Sequence, residues 1–214
     1  MKSSFNFQKQ KNIRGFTLVE LLVSMAIFMF VITIAAGSLF SAQSVNTKLE
    51  QTQLILDGVN LATEVMARDI RYGTTFYCDS EIPQNVVRLT RKSCPMNGGG
   101  GALTFKPSVA FPGSAIPSND RKAYYLLNGV VYRDEYKEGN INNKVSYQIT
   151  PADVNVKTLK FFVVGAEESS ATTLDLIQPL VTVIISGVTV PEKSNIKPVQ
   201  FTIQTSISSR PIDI

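Results

Sequence analysis

The hydrophobic pattern changes character near residue 73. Leu21 to Phe40 reads LLVSMAIFMFVITIAAGSLF, 20 residues without a charge. A helix of that length spans roughly 30 Å, the thickness of a bilayer's hydrocarbon core. Beyond it, Val45, Leu49, Thr52, Leu56, Val59, Thr63, Met66 and Ile70 recur at alternating steps of four and three, and Ile55 and Ala62 widen the stripe. This is one face of an amphipathic helix. The stretch is rich in good helix formers, Glu64 and Arg68 stand four apart in the favourable order, and Gly73 is a natural stop. No proline occurs before Pro83. The pattern predicts one helix from about Phe16 to Tyr72, roughly 85 Å long if unbroken. Its stripe is expected to pack on the chain's own strands, which follow at once, rather than on a second helix.

After Gly73 the period becomes two. Asn85–Thr90 and Ala102–Lys106 are short strand candidates. Lys122–Leu127 and Val130–Asp134 flank Asn128-Gly129, the pair that supplies the positive φ angles of a two-residue type I′ hairpin turn. Val154–Val164, Leu180–Val190 and Val199–Ile207 are dense in β-branched residues and read as strands. A long helix followed by antiparallel strands is an α+β arrangement, with the helix covering the apolar side of a sheet. Between Met96 and Asp120 the chain is rich in Gly and Pro. Its run Gly98 to Gly101 lacks the Lys-Ser/Thr and the following helix of a phosphate loop, so a flexible surface loop is expected.

Charge alters this picture in one place. The formal net charge is +4, yet Lys2, Lys9, Lys11 and Arg14 lie in the first 15 residues, which hold no acid. Removing those 4 from 21 basic residues leaves 17 against 17 acidic, so the chain is neutral from Phe16 onward. The basic tail precedes the apolar run, which by the positive-inside rule keeps the N-terminus cytoplasmic and sends the remainder across. Small residues at Ala35-Ala36-Gly37 leave a cleaved signal peptide as the rival reading, although the apolar run exceeds a signal core.

The chemistry available is narrow. With no His, the commonest general base and metal ligand is missing, and no nucleophile motif stands in its place. No enzyme activity and no cofactor are expected. The two cysteines cannot make a four-ligand zinc site alone. In an oxidising compartment Cys78 and Cys94 would form a disulfide; two buried thiols are the alternative. Asp153 with Asn155, or Asp134 with Glu135 and Glu138, offer oxygen ligands for calcium but not a regular loop, and read as turn residues. Glu167 to Ser170 reads as an exposed loop. Arg88, Arg91 and Lys92 form a small basic cluster, suited to a charged strand edge more than to nucleic acid.

The string Gly15-Phe16-Thr17-Leu18-Val19-Glu20-Leu21-Leu22-Val23 resembles the start of type IV prepilins and of the pseudopilins of type II secretion. The shared pattern is a basic leader ending in Gly, an aromatic, a Glu five positions after the Gly, and about 20 apolar residues. The resemblance implies cleavage between Gly15 and Phe16 by the prepilin peptidase, N-methylation of Phe16, and pairing of Glu20 with the N-terminal amine of a neighbouring subunit. An unpaired carboxylate in hydrocarbon costs on the order of 3 kcal/mol, so such a pair would select register during assembly. Looser likenesses at Leu61–Gly73, Leu159–Phe161, Pro179–Ile185 and Phe201–Ile207 point to J-type minor pseudopilins and W-type minor pilins.

The resulting expectation has four parts: a cytoplasmic leader (1–15), a transmembrane and assembly segment (16–40), an amphipathic half-helix (41–73) and a periplasmic β-rich domain (74–214). The subunit would sit in the bacterial inner membrane, join other pilins through its helix near the tip of a pilus or pseudopilus, and possess no small-molecule substrate. Type II secretion, type IV pilus and competence systems remain open. A fibre-displayed adhesin or DNA-binding module is the alternative.

Overall fold

Thr17 opens the first helix: its hydroxyl accepts the N–H of Glu20 at 3.3 Å and its carbonyl accepts the N–H of Leu21 at 3.2 Å. This geometry belongs to a computed structural model that describes residues 15–82, 86, 90–94, 98–166, 178–190 and 198–210. The leader before Gly15, the strand expected at 85–90 and the loop at 167–170 lie outside the described residues. The chain divides into two units, Met1–Thr47 and Lys48–Ile214, with the boundary inside helix α1 (Leu18–Arg71).

In the first unit the apolar residues from Phe16 to Phe40 are solvent-exposed. Two hydroxyls within this run are satisfied by the helix itself, Ser24 donating to the Glu20 carbonyl (2.7 Å) and Thr33 to that of Met29 (2.8 Å). The polarity of the helical backbone and of these two hydroxyls is thereby internalised, as a segment in hydrocarbon requires.

Among the described residues, the second unit contains the end of α1 and eight strands. Strands β1 (Thr74–Asp79), β2 (Ala102–Lys106), β3 (Arg121–Leu127), β4 (Val130–Tyr136) and β5 (Lys144–Gln148) form an antiparallel meander in sequence order. Strands β6 (Val154–Val164), β7 (Leu180–Thr189) and β8 (Gln200–Ser208) form a second antiparallel sheet. The β3–β4 hairpin turns at Asn128 (φ 51°) and Gly129 (φ 81°), the backbone expected of Asn-Gly.

Where one sheet was expected there are two, and short pieces of chain splice them together. Cys94 exchanges two backbone bonds with Val163 (both 3.1 Å), and Gly100 exchanges two with Phe161 (2.7 and 2.9 Å). The N–H of Val156 reaches the Gly129 carbonyl at 2.8 Å.

Val59, Met66 and Ile70 of α1 share one core with Phe76, Leu103, Phe105 and Tyr124 of the first sheet and Phe161, Val183 and Ile185 of the second. The amphipathic stripe therefore does its packing work from Val59 onward. Val45 and Leu49, on the same stripe, are exposed, and the side chains of Thr52, Ile55 and Leu56 lie outside the described set.

Candidate membrane and assembly site

Gly15 and Phe16 precede the first helical turn, and Phe16 is 78% exposed. Among the described residues, nothing lies within 4 Å of the position a Cβ would take on Gly15. Thr17 is the N-cap and Glu20 the third helical residue. Thr-x-x-Glu is the spacing of a capping box, and an acid in the first turn also meets the positive end of the helix dipole. Thr17 was not singled out in the sequence, although its distance from Glu20 was the readable signal. Of that box, the bond from the Glu20 N–H to the Thr17 hydroxyl is formed. From Leu18 to Gln43, 26 residues are long and apolar enough to cross a membrane and are unburied. At 1.5 Å per residue they extend about 39 Å.

The candidate residues of the second unit are committed elsewhere. Cys78 and Cys94 are joined in a disulfide with Cα atoms 5.6 Å apart. Asp79, next to it, accepts Lys92 Nζ at 2.8 Å, the Tyr77 hydroxyl at 2.9 Å and the Ser80 N–H at 2.8 Å. The Lys92 hydrogen bond is the main reason its carboxyl is held down to about 2. Lys92 also lies 5.3 Å over the Tyr77 ring. Of the expected basic cluster, Arg88 lies outside the described residues, Arg91 is exposed, and Lys92 is an ion-pair partner rather than an open cation.

The glycine run is open surface only at Gly98 and packs closely further on. Gly100 is buried: a Cβ there would stand 2.5 Å from Cys78 Sγ and 2.6 Å from the Asp79 carbonyl oxygen. On Gly101 it would stand 2.5 Å from the Ser80 carbonyl oxygen. Glycine serves here for close backbone approach to the disulfide-bonded strand.

Asp134 and Glu135 are not turn residues either. Both lie on β4 and face opposite sides of the sheet. Asp134 is fully buried and accepts Lys144 Nζ (2.7 Å) and the hydroxyls of Tyr136 (2.9 Å) and Tyr125 (3.1 Å). Burial, reinforced by the Asp134 charge, pushes the Tyr125 phenol up to about 12 and the Tyr136 phenol up as well. Glu135 meets Arg133 at 3.3 Å and Lys122 at 3.7 Å. Glu138, in the turn after β4, accepts the Ala115 N–H at 2.9 Å. Asp153 is exposed, and its carbonyl accepts the Val190 N–H at 2.7 Å, while Asn155 Oδ1 abuts Gly129. Among the described residues no group of three or more His, Cys, Asp and Glu is placed to hold a metal.

A model of the prokaryotic N-terminal methylation motif matches residues 10–36. The match covers the Gly15–Phe16 junction, the capped start of α1 and most of its apolar run. No curated protein and no solved structure matches the chain. The motif and the exposed apolar helix fit a membrane-anchored class of protein, the pilin precursors. Within that class the motif supports a type IV pilin or pseudopilin precursor, a structural subunit that implies a prepilin peptidase and other pilins as partners.

Proposed function

We propose that this chain is a minor subunit of a type IV pilus or a type II secretion pseudopilus. The observation that carries the reading is the coincidence of the methylation motif with the start of an exposed, capped apolar helix. A membrane peptidase acting on the cytoplasmic side would cut before Phe16 and methylate the new amine. The basic tail supports an orientation with the N-terminus in the cytoplasm and the domain 74–214 in the periplasm. The disulfide suits that oxidising compartment.

Cleavage leaves a chain starting at Phe16, with Glu20 one helical turn inside it. In hydrocarbon that carboxylate seeks a cation, and the amine of the next subunit is the one the assembly provides. The loose J-type and W-type likenesses support a minor, tip-proximal place. Acting by packing rather than catalysis, the subunit requires no cofactor. Within the basic cluster Lys92 is held by Asp79, which weakens a nucleic-acid reading.

The decisive experiment is the intact mass and N-terminal sequence of the protein from native membranes. An N-methylated Phe16 terminus is the expected result. A chain beginning at Ser38, or one left uncut beside an active prepilin peptidase, overturns the reading. Deleting the gene and scoring secretion, twitching and DNA uptake then assigns the fibre.

A further inference from the structure

The strand edges of the second unit are treated unequally. The outer edge of β1 is covered by residue 92, with Cys78 N–H donating to the Lys92 carbonyl and Lys92 N–H to that of Phe76, both at 3.0 Å. The outer edge of β6 is closed by Cys94, Gly100 and Gly129. Strand β5 is only 5 residues long and begins with a lysine, two ordinary protections against unwanted pairing. Strand β8 has none of these. It runs 9 residues, Gln200–Ser208, in unbroken register with β7, and contains no charge, no proline and no bulge.

The phase of its free groups follows from the ladder. Thr189 N–H donates to the Val199 carbonyl at 3.0 Å, and Ser209 N–H to the Pro179 carbonyl at 2.9 Å. Odd-numbered residues of β8 therefore turn their peptide groups towards β7, and even-numbered ones turn theirs outward. Gln200, Thr202, Gln204, Ser206 and Ser208 turn their N–H and C=O groups outward along one line, where no strand among the described residues pairs with them, and their side chains are exposed. The next even residue shows the same direction in use: Arg210 N–H donates to the Arg71 carbonyl at the end of α1, at 2.8 Å. On the core side of the edge, Phe201 and Ile203 are only half-buried against the hydrophobic core.

We infer that the β8 edge seats an extended strand from another subunit of the assembly, adding a fourth strand to the β6–β7–β8 sheet. Main-chain hydrogen bonds to the five even residues hold it, and the side chains fix its chemistry. Residues on its core side are apolar, completing cover over Phe201 and Ile203. Those on its outer side carry hydroxyls or amides, matching Gln200, Thr202, Gln204 and Ser206. A charged residue opposite this row has no partner on β8, so the incoming segment is uncharged. The source of the strand rests on the subunit reading above; the mode of binding rests on the edge alone.

The test uses the full chain in detergent micelles and, as probe, a synthetic nonapeptide copying Gln200–Ser208. Residue-resolved hydrogen exchange is expected to show odd amides of β8 protected and even amides free. Added peptide is then expected to slow the even amides on the order of tenfold or more. Even amides that are already protected in the isolated chain, or that ignore saturating peptide, overturn the proposal. Gln204→Pro removes one outward N–H while sparing the β7 ladder, and is expected to abolish the peptide effect with the melting temperature retained. Should that variant melt early, Gln204→Lys charges the edge without altering the backbone; peptide protection equal to wild type in Gln204→Lys sinks the inference. Correct processing at Phe16 with a silent β8 refutes this proposal alone. Peptide protection in a chain that is never processed refutes only the subunit reading.

Discussion

Asp69 on the last turns of α1 accepts the Tyr124 hydroxyl of β3 at 2.6 Å, across 55 positions of sequence. The other carboxylate oxygen meets Lys122 Nζ at 3.0 Å, and Arg133 approaches at 3.7 Å while stacking over the Tyr147 ring at 4.7 Å. One carboxylate thereby ties the helix end to two adjacent strands. Asp69 is largely shielded from water, so its loss leaves the Tyr124 phenol without its acceptor and the two cations with Glu135 alone. Asp69→Ala is expected to cost about 2–3 kcal/mol in chemical unfolding of the full chain, below the range for a fully buried pair because the cluster is partly wet. Glu64→Ala breaks an ion pair whose side chains are 67–68% exposed, and is expected to change stability by less than about 0.5 kcal/mol.

Alkaline titration probes the same packing. Burial raises the phenols of Tyr124, Tyr125 and Tyr136, Asp69 adding to the effect on the first and Asp134 on the other two. A phenol raised in the folded state contributes stability that is fully present below its unfolded value near 10 and is lost as pH climbs through the folded value. For Tyr125 that window runs from about 10 to about 12. Tyrosinate absorbance is expected to lag behind an unfolded control and then rise together with loss of structure. Asp134→Asn removes the charge facing two of these phenols, and is expected to move part of the absorbance rise to lower pH.

At the acid end the sign reverses. Asp79 is held at about 2 against a usual 3.8, chiefly by Lys92. Burial pushes the Asp120 carboxyl up, but the Ser114 hydroxyl (2.7 Å), the N–H groups of Glu138 and Phe111 (both 2.9 Å) and the Arg121 charge outweigh it and leave it depressed. A depressed carboxyl contributes stability present above its unfolded pKa and lost as pH falls through the folded one. Thermal unfolding should be flat above pH 4 in this respect and decline between about 4 and 2. Asp79→Asn is expected to flatten part of that decline while lowering stability at neutral pH. An unchanged acid limb would show that Lys92 does not hold Asp79 in solution.

The elements legible in the sequence are those whose signal is local. The apolar run, the Val59–Ile70 half of the stripe, the Asn128-Gly129 turn and the β-branched β6, β7 and β8 each declare themselves within a dozen residues. Strand β5 did not, because all its residues are exposed and no buried face imposes an alternation. Strand β1 follows the helix within three residues and carries a positive φ at Thr75, so its alternation is short and interrupted. The division into two sheets depends on splices such as Gly100 to Phe161, and nothing local to either residue announces them. At the candidate site, Gly15, Phe16 and Glu20 are picked out by the resemblance of the Gly15–Val23 string to prepilins. The buried fates of Asp134 and Lys92 required knowing what stands beside them in space.

Gly100 gives the sharpest steric test. Its φ is not in the left-handed region, so alanine there is refused by its neighbours rather than by the backbone. The added methyl meets the sulfur of Cys78 and the carbonyl of Asp79, and behind both stands the disulfide that pins residues 92–94 between the sheets. Overpacking of this kind costs about 1–3 kcal/mol, and opening the disulfide loop about 3 kcal/mol. Gly100→Ala is therefore expected to lower the melting temperature of the oxidised chain and to speed reduction of Cys78–Cys94. In a Cys78→Ala, Cys94→Ala background the alanine penalty should shrink without vanishing, because the sulfur is gone and the Asp79 carbonyl remains. A penalty identical in both backgrounds would place the clash on the backbone alone, and no penalty in either would mean that the glycine run does not pack against β1 in solution.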